Sequence, residues 1–222
     1  MKQISGILFD LDGVITDTAE YHYKAWKQLA DDLDIPFDRE FNEKLKGIGR
    51  MESLELILQH GNKQLTAEEK ERQATKKNEH YKQMIELITP ADILPGVLEF
   101  MNEIKDAGVK TALASSSKNA QAVIENLEIT HLLDSVVNAA EIKNGKPAPE
   151  IFLKAADQLG LSSENCAGVE DAQAGVEAIK AAEMFAVGVG DQKALKKADW
   201  VVEDTSQLDF KELQQKFAEA RS

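Results

Sequence analysis

One short apolar run, Ile4-Ser5-Gly6-Ile7-Leu8-Phe9, leads into Asp10. A run of this kind, bounded by turn residues, suits a strand buried in a parallel sheet. Over about residues 18–87 the character changes: Tyr21, Trp26, Leu29, Leu33, Phe41, Leu45, Leu54, Ile57 and Leu58 recur at helical spacing among many charges. This block reads as all-helical. Within it, Thr66-Ala67-Glu68-Glu69 is a capping-box pattern that opens a long helix running through Tyr81 and Met84.

After Pro90 and the Pro95-Gly96 pair, helix and strand signals alternate. The pattern predicts a helix over 97–106, a strand over 109–114, a helix from 119, a strand near Val136 and a helix over 150–159. A strand over 166–169, a helix over 172–182 and strands over 185–189 and 200–202 complete the series. Alternation of this kind predicts an α/β fold with a doubly wound, Rossmann-like parallel sheet. Since one strand precedes the helical block and several follow it, the block is an insertion after strand one. The expected organisation is a core domain of residues 1–16 and 89–222 and a helical cap domain of residues 17–88. The two chain crossings, near Asp17-Thr18 and between Glu86 and Pro95, would form a hinge.

The formal charge of −13 argues against nucleic-acid and anionic-membrane partners, because the mean field repels polyanions. A phosphorylated substrate would then need a local concentration of cations and backbone N–H groups. Cys166 is the only cysteine, which excludes an intramolecular disulfide framework and a multi-cysteine metal site. The apolar run before Asp10 is too short for a secretory segment, and no stretch reaches transmembrane length. A cytoplasmic monomer acting on small molecules is expected.

In open α/β sheets ligands bind beyond the carboxyl ends of the strands, and there the acidic residues gather. Asp10-Leu11-Asp12-Gly13 closes the first strand and Glu170-Asp171 closes Cys166-Ala167-Gly168-Val169. Two strand ends bearing carboxylates make a Mg²⁺ site reasonable. Taken singly, Asp12-Gly13 is equally a turn, and Asp171 equally an acid at the start of the next helix.

Together these segments resemble a known family. Phe9-Asp10-Leu11-Asp12-Gly13-Val14 is similar to the first motif of the haloacid dehalogenase superfamily, and Ser115, Lys146-Pro147 and Glu170-Asp171 follow in that superfamily's order. The resemblance implies that Asp10 attacks phosphorus and that Asp12 acts as general acid and base. It further implies that Ser115 holds an oxygen of the transferring phosphate and that Lys146 neutralises charge between nucleophile and phosphate. Mg²⁺ would be bound by a set drawn from Asp10, Asp12, Glu170 and Asp171. Physical chemistry agrees, since a carboxylate approaching a phosphate dianion meets roughly 4 kcal/mol of repulsion per charge pair at an effective dielectric of about 20. A divalent cation offsets that term. Asp12 must acquire its proton through desolvation or from the neighbouring charge of Asp10.

Further segments, Asp17-Thr18-Ala19-Glu20-Tyr21-His22, Leu45-Lys46-Gly47-Ile48-Gly49-Arg50, Ala114-Ser115-Ser116-Ser117-Lys118-Asn119 and Lys146-Pro147-Ala148-Pro149-Glu150-Ile151-Phe152, resemble the β-phosphoglucomutase family within the superfamily. That resemblance implies interconversion of β-D-glucose 1-phosphate and glucose 6-phosphate through an aspartyl phosphate and β-glucose 1,6-bisphosphate. It assigns Arg50, Ser117 and Asn119 to a second phosphate, with Gly47 offering its backbone to the ligand. His22 and Lys77, on cap helices, and Thr18, at the hinge, match its gating positions. Trp26 is kept among the substrate-side residues, although its spacing with Tyr21 reads first as cap packing. Two departures stand out: Ala172 and Gly49 occupy positions where relatives often carry Ser. The alternatives are a sugar-phosphate phosphatase using the same Asp10 and Asp12, and a silent sugar-phosphate-binding protein, which would be expected to lack those acids.

Overall fold

The computed structural model describes residues 3–221. Strands β1 (Gly6–Phe9), β2 (Lys110–Leu113), β3 (Ser135–Val136), β4 (Cys166–Glu170), β5 (Phe185–Val189) and β6 (Trp200–Val202) form one sheet in the order β3-β2-β1-β4-β5-β6. Every neighbouring pair is parallel. From β1 the chain moves outward through β2 to β3, then returns to lay β4 against the other side of β1. The order of travel therefore reverses between β1 and β4, where open α/β sheets leave a crevice for ligands.

Alternating side chains along each strand feed two cores, as the two-residue period of a strand requires. Ile7 and Phe9 of β1, Val169 of β4 and Val187 of β5 face one layer, while Leu8, Cys166 and Ala186 face the other. Both faces of the sheet are thus covered, which explains why its strands read as continuous apolar runs.

Between β1 and β2 lie α1 (Ala19–Asp32), α2 (Arg39–Asn42), α3 (Arg50–His60) and α4 (Ala67–Ile85). Trp26, Leu29, Ile35, Leu54, Ile57 and Ala74 give this insertion an apolar cluster of its own. The predicted capping box starts α4: Glu69 N–H donates to Thr66 Oγ1 at 3.2 Å and Thr66 N–H donates to Glu69 Oε2 at 2.8 Å. At the root of the insertion, Leu94 N–H donates to the Ile15 carbonyl at 2.9 Å, and Thr16 is bridged to both Asp12 and Ile93.

The remaining helices are α5 (Val97–Asp106), α6 (Ala120–Asn126), α7 (Glu150–Gln158), α8 (Gln173–Ala181) and α9 (Phe210–Ala220). Phe100 of α5, Val123 of α6 and Phe217 of α9 pack on one face of the sheet, and Phe152 of α7 and Ile179 of α8 on the other. The sequence pattern placed no element after residue 202, so α9 is an addition to it. Phe210, Leu213 and Phe217 are buried, and Asp209 caps the helix by accepting from Glu212 N–H at 2.7 Å. The first strand starts at Gly6 rather than Ile4. Among the described residues, no helix is long and apolar enough to cross a membrane.

Candidate active site

Asp10 follows β1 directly and extends its ladder, donating its N–H to the Val169 carbonyl at 3.0 Å. The residue is 4 % exposed. The turn after it needs glycine: Gly13 has φ +72°, and a Cβ there would lie 2.4 Å from Asp171 Oδ2. Loss of that methyl group lets the β1 turn and the end of β4 approach. Oxygens of Asp10, Glu170 and Asp171 lie within 4.8 Å of one another.

Lys146 reaches this group from the loop before α7. Its Nζ, buried, donates to Asp10 Oδ1 at 2.6 Å and to Glu170 Oε1 at 2.6 Å. Burial alone would lower its pKa, yet the charges and hydrogen bonds of Asp10 and Glu170 prevail and hold it above the usual lysine range. The other oxygen of Glu170 accepts from Ala172 N–H at 2.8 Å. Burial raises the carboxyl pKa of Glu170 despite Lys146, and burial together with Glu170 and Asp10 pushes Asp171 well up. Three carboxylates face one ammonium, so the group is short of positive charge. Its hard oxygen donors fit a small divalent cation.

The side chain of Asp12 stands outside that trio. Thr18, fully buried at the N-terminus of α1, donates its hydroxyl to Asp12 Oδ1, and Tyr81 donates to Thr18 Oγ1 at 3.2 Å. His22 Nε2 is 3.8 Å from Asp12 Oδ2. Desolvation, then the charge of Asp10, pushes the Asp12 carboxyl up to about 8. A raised pKa favours the protonated form that a general acid needs.

A chain of cap residues backs Asp12. Lys77 Nζ lies 2.9 Å from His22 Nδ1, over the Trp26 ring at 4.5 Å, and the His22 ring stacks on Tyr81 at 4.1 Å. Desolvation, with Lys77 and Arg50 nearby, keeps His22 well below its usual pKa, so its ring is neutral. A neutral ring has one donor and one acceptor nitrogen, and here Nδ1 engages Lys77 while Nε2 faces Asp12. Trp26 does two things: it is 3 % exposed within the cap cluster and it also lines the cavity.

That cavity holds about 350 Å³ between insertion and core, and its walls include Asp10, Asp12, Lys146 and Ser115 together with Arg50 and Lys77. Ser115 is buried after β2 and accepts from Ser117 N–H at 3.1 Å. Ser117 and Asn119 line the same space. Arg50 begins α3; burial lowers its pKa, and among the described residues no carboxylate is hydrogen-bonded to it. Gly47 takes φ +74°, and its carbonyl accepts from Ser116 Oγ at 3.1 Å.

The structure thus brings the proposed residues to one cavity, with Thr18 behind Asp12 and Glu170 behind Lys146. Sequence reasoning did not single out Tyr81, Asn78 or Ser116. Asn78 Oδ1 accepts from Asn119 Nδ2 at 2.8 Å, and with the Ser116–Gly47 bond it ties cap to core. Tyr81 was findable, since it lies one helical turn beyond Lys77 on the same face of α4.

Known proteins resemble the chain along most of its length. A profile of the haloacid dehalogenase-like hydrolases matches residues 4–183. The chain is 46 % identical over 220 residues, covering 98 % of it and 97 % of the relative, to a β-phosphoglucomutase of Bacillus subtilis. It is 30 % identical over 190 residues, covering 85 % and 97 %, to a fructose-1-phosphate phosphatase of Escherichia coli. Among solved structures, a β-phosphoglucomutase from Clostridium difficile superposes with a TM-score of 0.97 at 49 % identity, covering 98 % of this chain and 99 % of that one.

Proposed function

The chain belongs to the haloacid dehalogenase-like hydrolases, and from that membership we propose that it is a Mg²⁺-dependent β-phosphoglucomutase, a phosphate-shifting isomerase. It interconverts β-D-glucose 1-phosphate and glucose 6-phosphate through β-glucose 1,6-bisphosphate, with Asp10 as the phosphate carrier. Mg²⁺ held by Asp10, Glu170 and Asp171 would supply charge neutralisation between nucleophile and phosphate. Lys146 adds a fixed positive charge at Asp10, and Ser115 offers its hydroxyl to a phosphate oxygen. An Asp10 carboxylate oxygen bonds to phosphorus as the sugar oxygen leaves with the proton of Asp12. In the return step Asp12 takes the proton of the attacking sugar hydroxyl while the phosphate passes from Asp10 to that oxygen.

The observation that carries the mutase reading is Arg50. A half-buried guanidinium with no hydrogen-bonded carboxylate partner, facing the cavity that contains Asp10, suits a second phosphate on the same sugar. Ser117 and Asn119 would complete that second grip, with Gly47 on the cap side. Residues 17–88 act as a lid hinged at Thr18, and closure sets Asp12 against the His22–Lys77 pair while excluding water. The enzyme is proposed to work as a cytoplasmic monomer on small sugar phosphates.

The test is incubation with β-glucose 1-phosphate, Mg²⁺ and a trace of the bisphosphate, run in parallel with the α anomer. Glucose 6-phosphate from the β anomer alone is expected. Inorganic phosphate as the main product would replace this reading with the phosphatase alternative.

A further inference from the structure

We infer that Glu150 is a positioning residue for Lys146, clamping the base of the loop that carries it; the inference rests on the role given to Lys146 above. Residues 143–145 are exposed, and Lys146 is the buried point of the loop. Both oxygens of Glu150 turn back toward the loop's start: Oε1 accepts from Lys143 N–H at 2.7 Å, and Oε2 from Asn144 N–H at 2.9 Å and Asn144 Nδ2 at 2.8 Å. Inside the loop, Ala148 N–H donates to the Gly145 carbonyl at 2.9 Å and closes the turn.

Glu150 can bear load because it begins α7, which is fixed to the sheet through Ile151, Phe152 and Ala155. The Phe152 ring also lies 5.1 Å beneath Lys146 Nζ. An acid serving only the helix dipole would satisfy the first N–H groups of its own helix. Here the charge is spent on the preceding segment instead. Lys146 must meet two carboxylates at once, each at 2.6 Å. Its long side chain leaves orientation to the backbone beneath it, and a misplacement of about 1 Å at a reacting centre costs on the order of a hundredfold.

The experiment is a double-mutant cycle between Glu150→Ala and Lys146→Ala. It reads the rate at which Mg²⁺-loaded enzyme is phosphorylated on Asp10 by acetyl phosphate, alongside amide hydrogen exchange of the metal-free protein. Glu150→Ala is expected to slow phosphorylation about 10- to 100-fold and to speed exchange at the Lys143 and Asn144 amides. In the Lys146→Ala background it should change the rate by less than about twofold, because the residue through which it acts is gone. An equal loss in both backgrounds, or unchanged rate and exchange in the single variant, overturns the inference. The readout does not involve the acceptor sugar. Failure to isomerise a sugar phosphate would therefore count against the mutase reading and leave the Glu150 comparison intact.

Discussion

Gly175 and Glu170 compete for one space: a Cβ on Gly175 would lie 1.8 Å from Glu170 Oε1 and 1.9 Å from its Cδ. The carboxylate therefore rests against the bare backbone of α8, held there by Lys146 and by Ala172 N–H. Gly175→Ala must push Glu170 away from both. We expect the variant to fold, with Mg²⁺ affinity and turnover each reduced about 10- to 100-fold. Titration calorimetry with Mg²⁺ and circular dichroism check this, and unchanged affinity would show that Glu170 tolerates displacement.

Asp12 lies outside the carboxylate trio, and desolvation, then the charge of Asp10, pushes its carboxyl up to about 8. Asp12→Asn should leave Mg²⁺ binding within about threefold while turnover falls about 10²- to 10⁴-fold, the range for loss of general acid–base catalysis. Steady-state kinetics beside Mg²⁺ titration separates the two effects. Retained turnover would remove Asp12 from the mechanism.

Lys77 links the cap to pH. Desolvation, then Arg50, brings its ammonium down to about 7 from the ordinary 10.5, with Asp12 pulling the other way. Between those values the unfolded chain holds a proton that the folded chain has released, so this group makes stability rise with pH across that window. Below about 7 both states are protonated and its cost is constant and greatest. Lys77→Met removes the linkage. Urea melts at about pH 7 and about pH 9.5 should show a smaller rise in midpoint for the variant than for the parent. Equal rises would mean that Lys77 stays charged in the fold.

Cys166 begins β4 with its side chain fully buried, and burial pushes the thiol up to about 11. Both the thiolate fraction and access are therefore low. A chromogenic disulfide reagent at about pH 8 should label native protein at least about 100-fold more slowly than urea-unfolded protein. Comparable rates would contradict the burial of this strand.

Much of this fold was legible because its strands are buried on both faces and read as short apolar runs, two of them, β1 and β4, closing on the acids Asp10 and Glu170-Asp171. The capping box at Thr66 is local chemistry, and it appeared where the residues indicated. The helix over Phe210–Ala220 escaped notice because its apolar stripe is only Phe210, Leu213 and Phe217 within a charged segment. In the site, Asp10, Lys146 and Asp171 are marked by motif. Glu150 stands in a segment that resembles the family without its role showing there, and Gly175 and Asn78 stand in none. Their meaning comes from what tertiary packing brings beside them: loop amides, a carboxylate and Asn119.

The central claim is that Asp10 takes a phosphate and returns it to sugar. Its most direct measurement is a chase of enzyme phosphorylated with ³²P from labelled β-glucose 1,6-bisphosphate. After peptide mapping of the labelled residue, unlabelled glucose 6-phosphate is added and the label followed. Label on Asp10 that moves into the sugar bisphosphate is expected. Label on another residue, or label leaving Asp10 as inorganic phosphate, would contradict it.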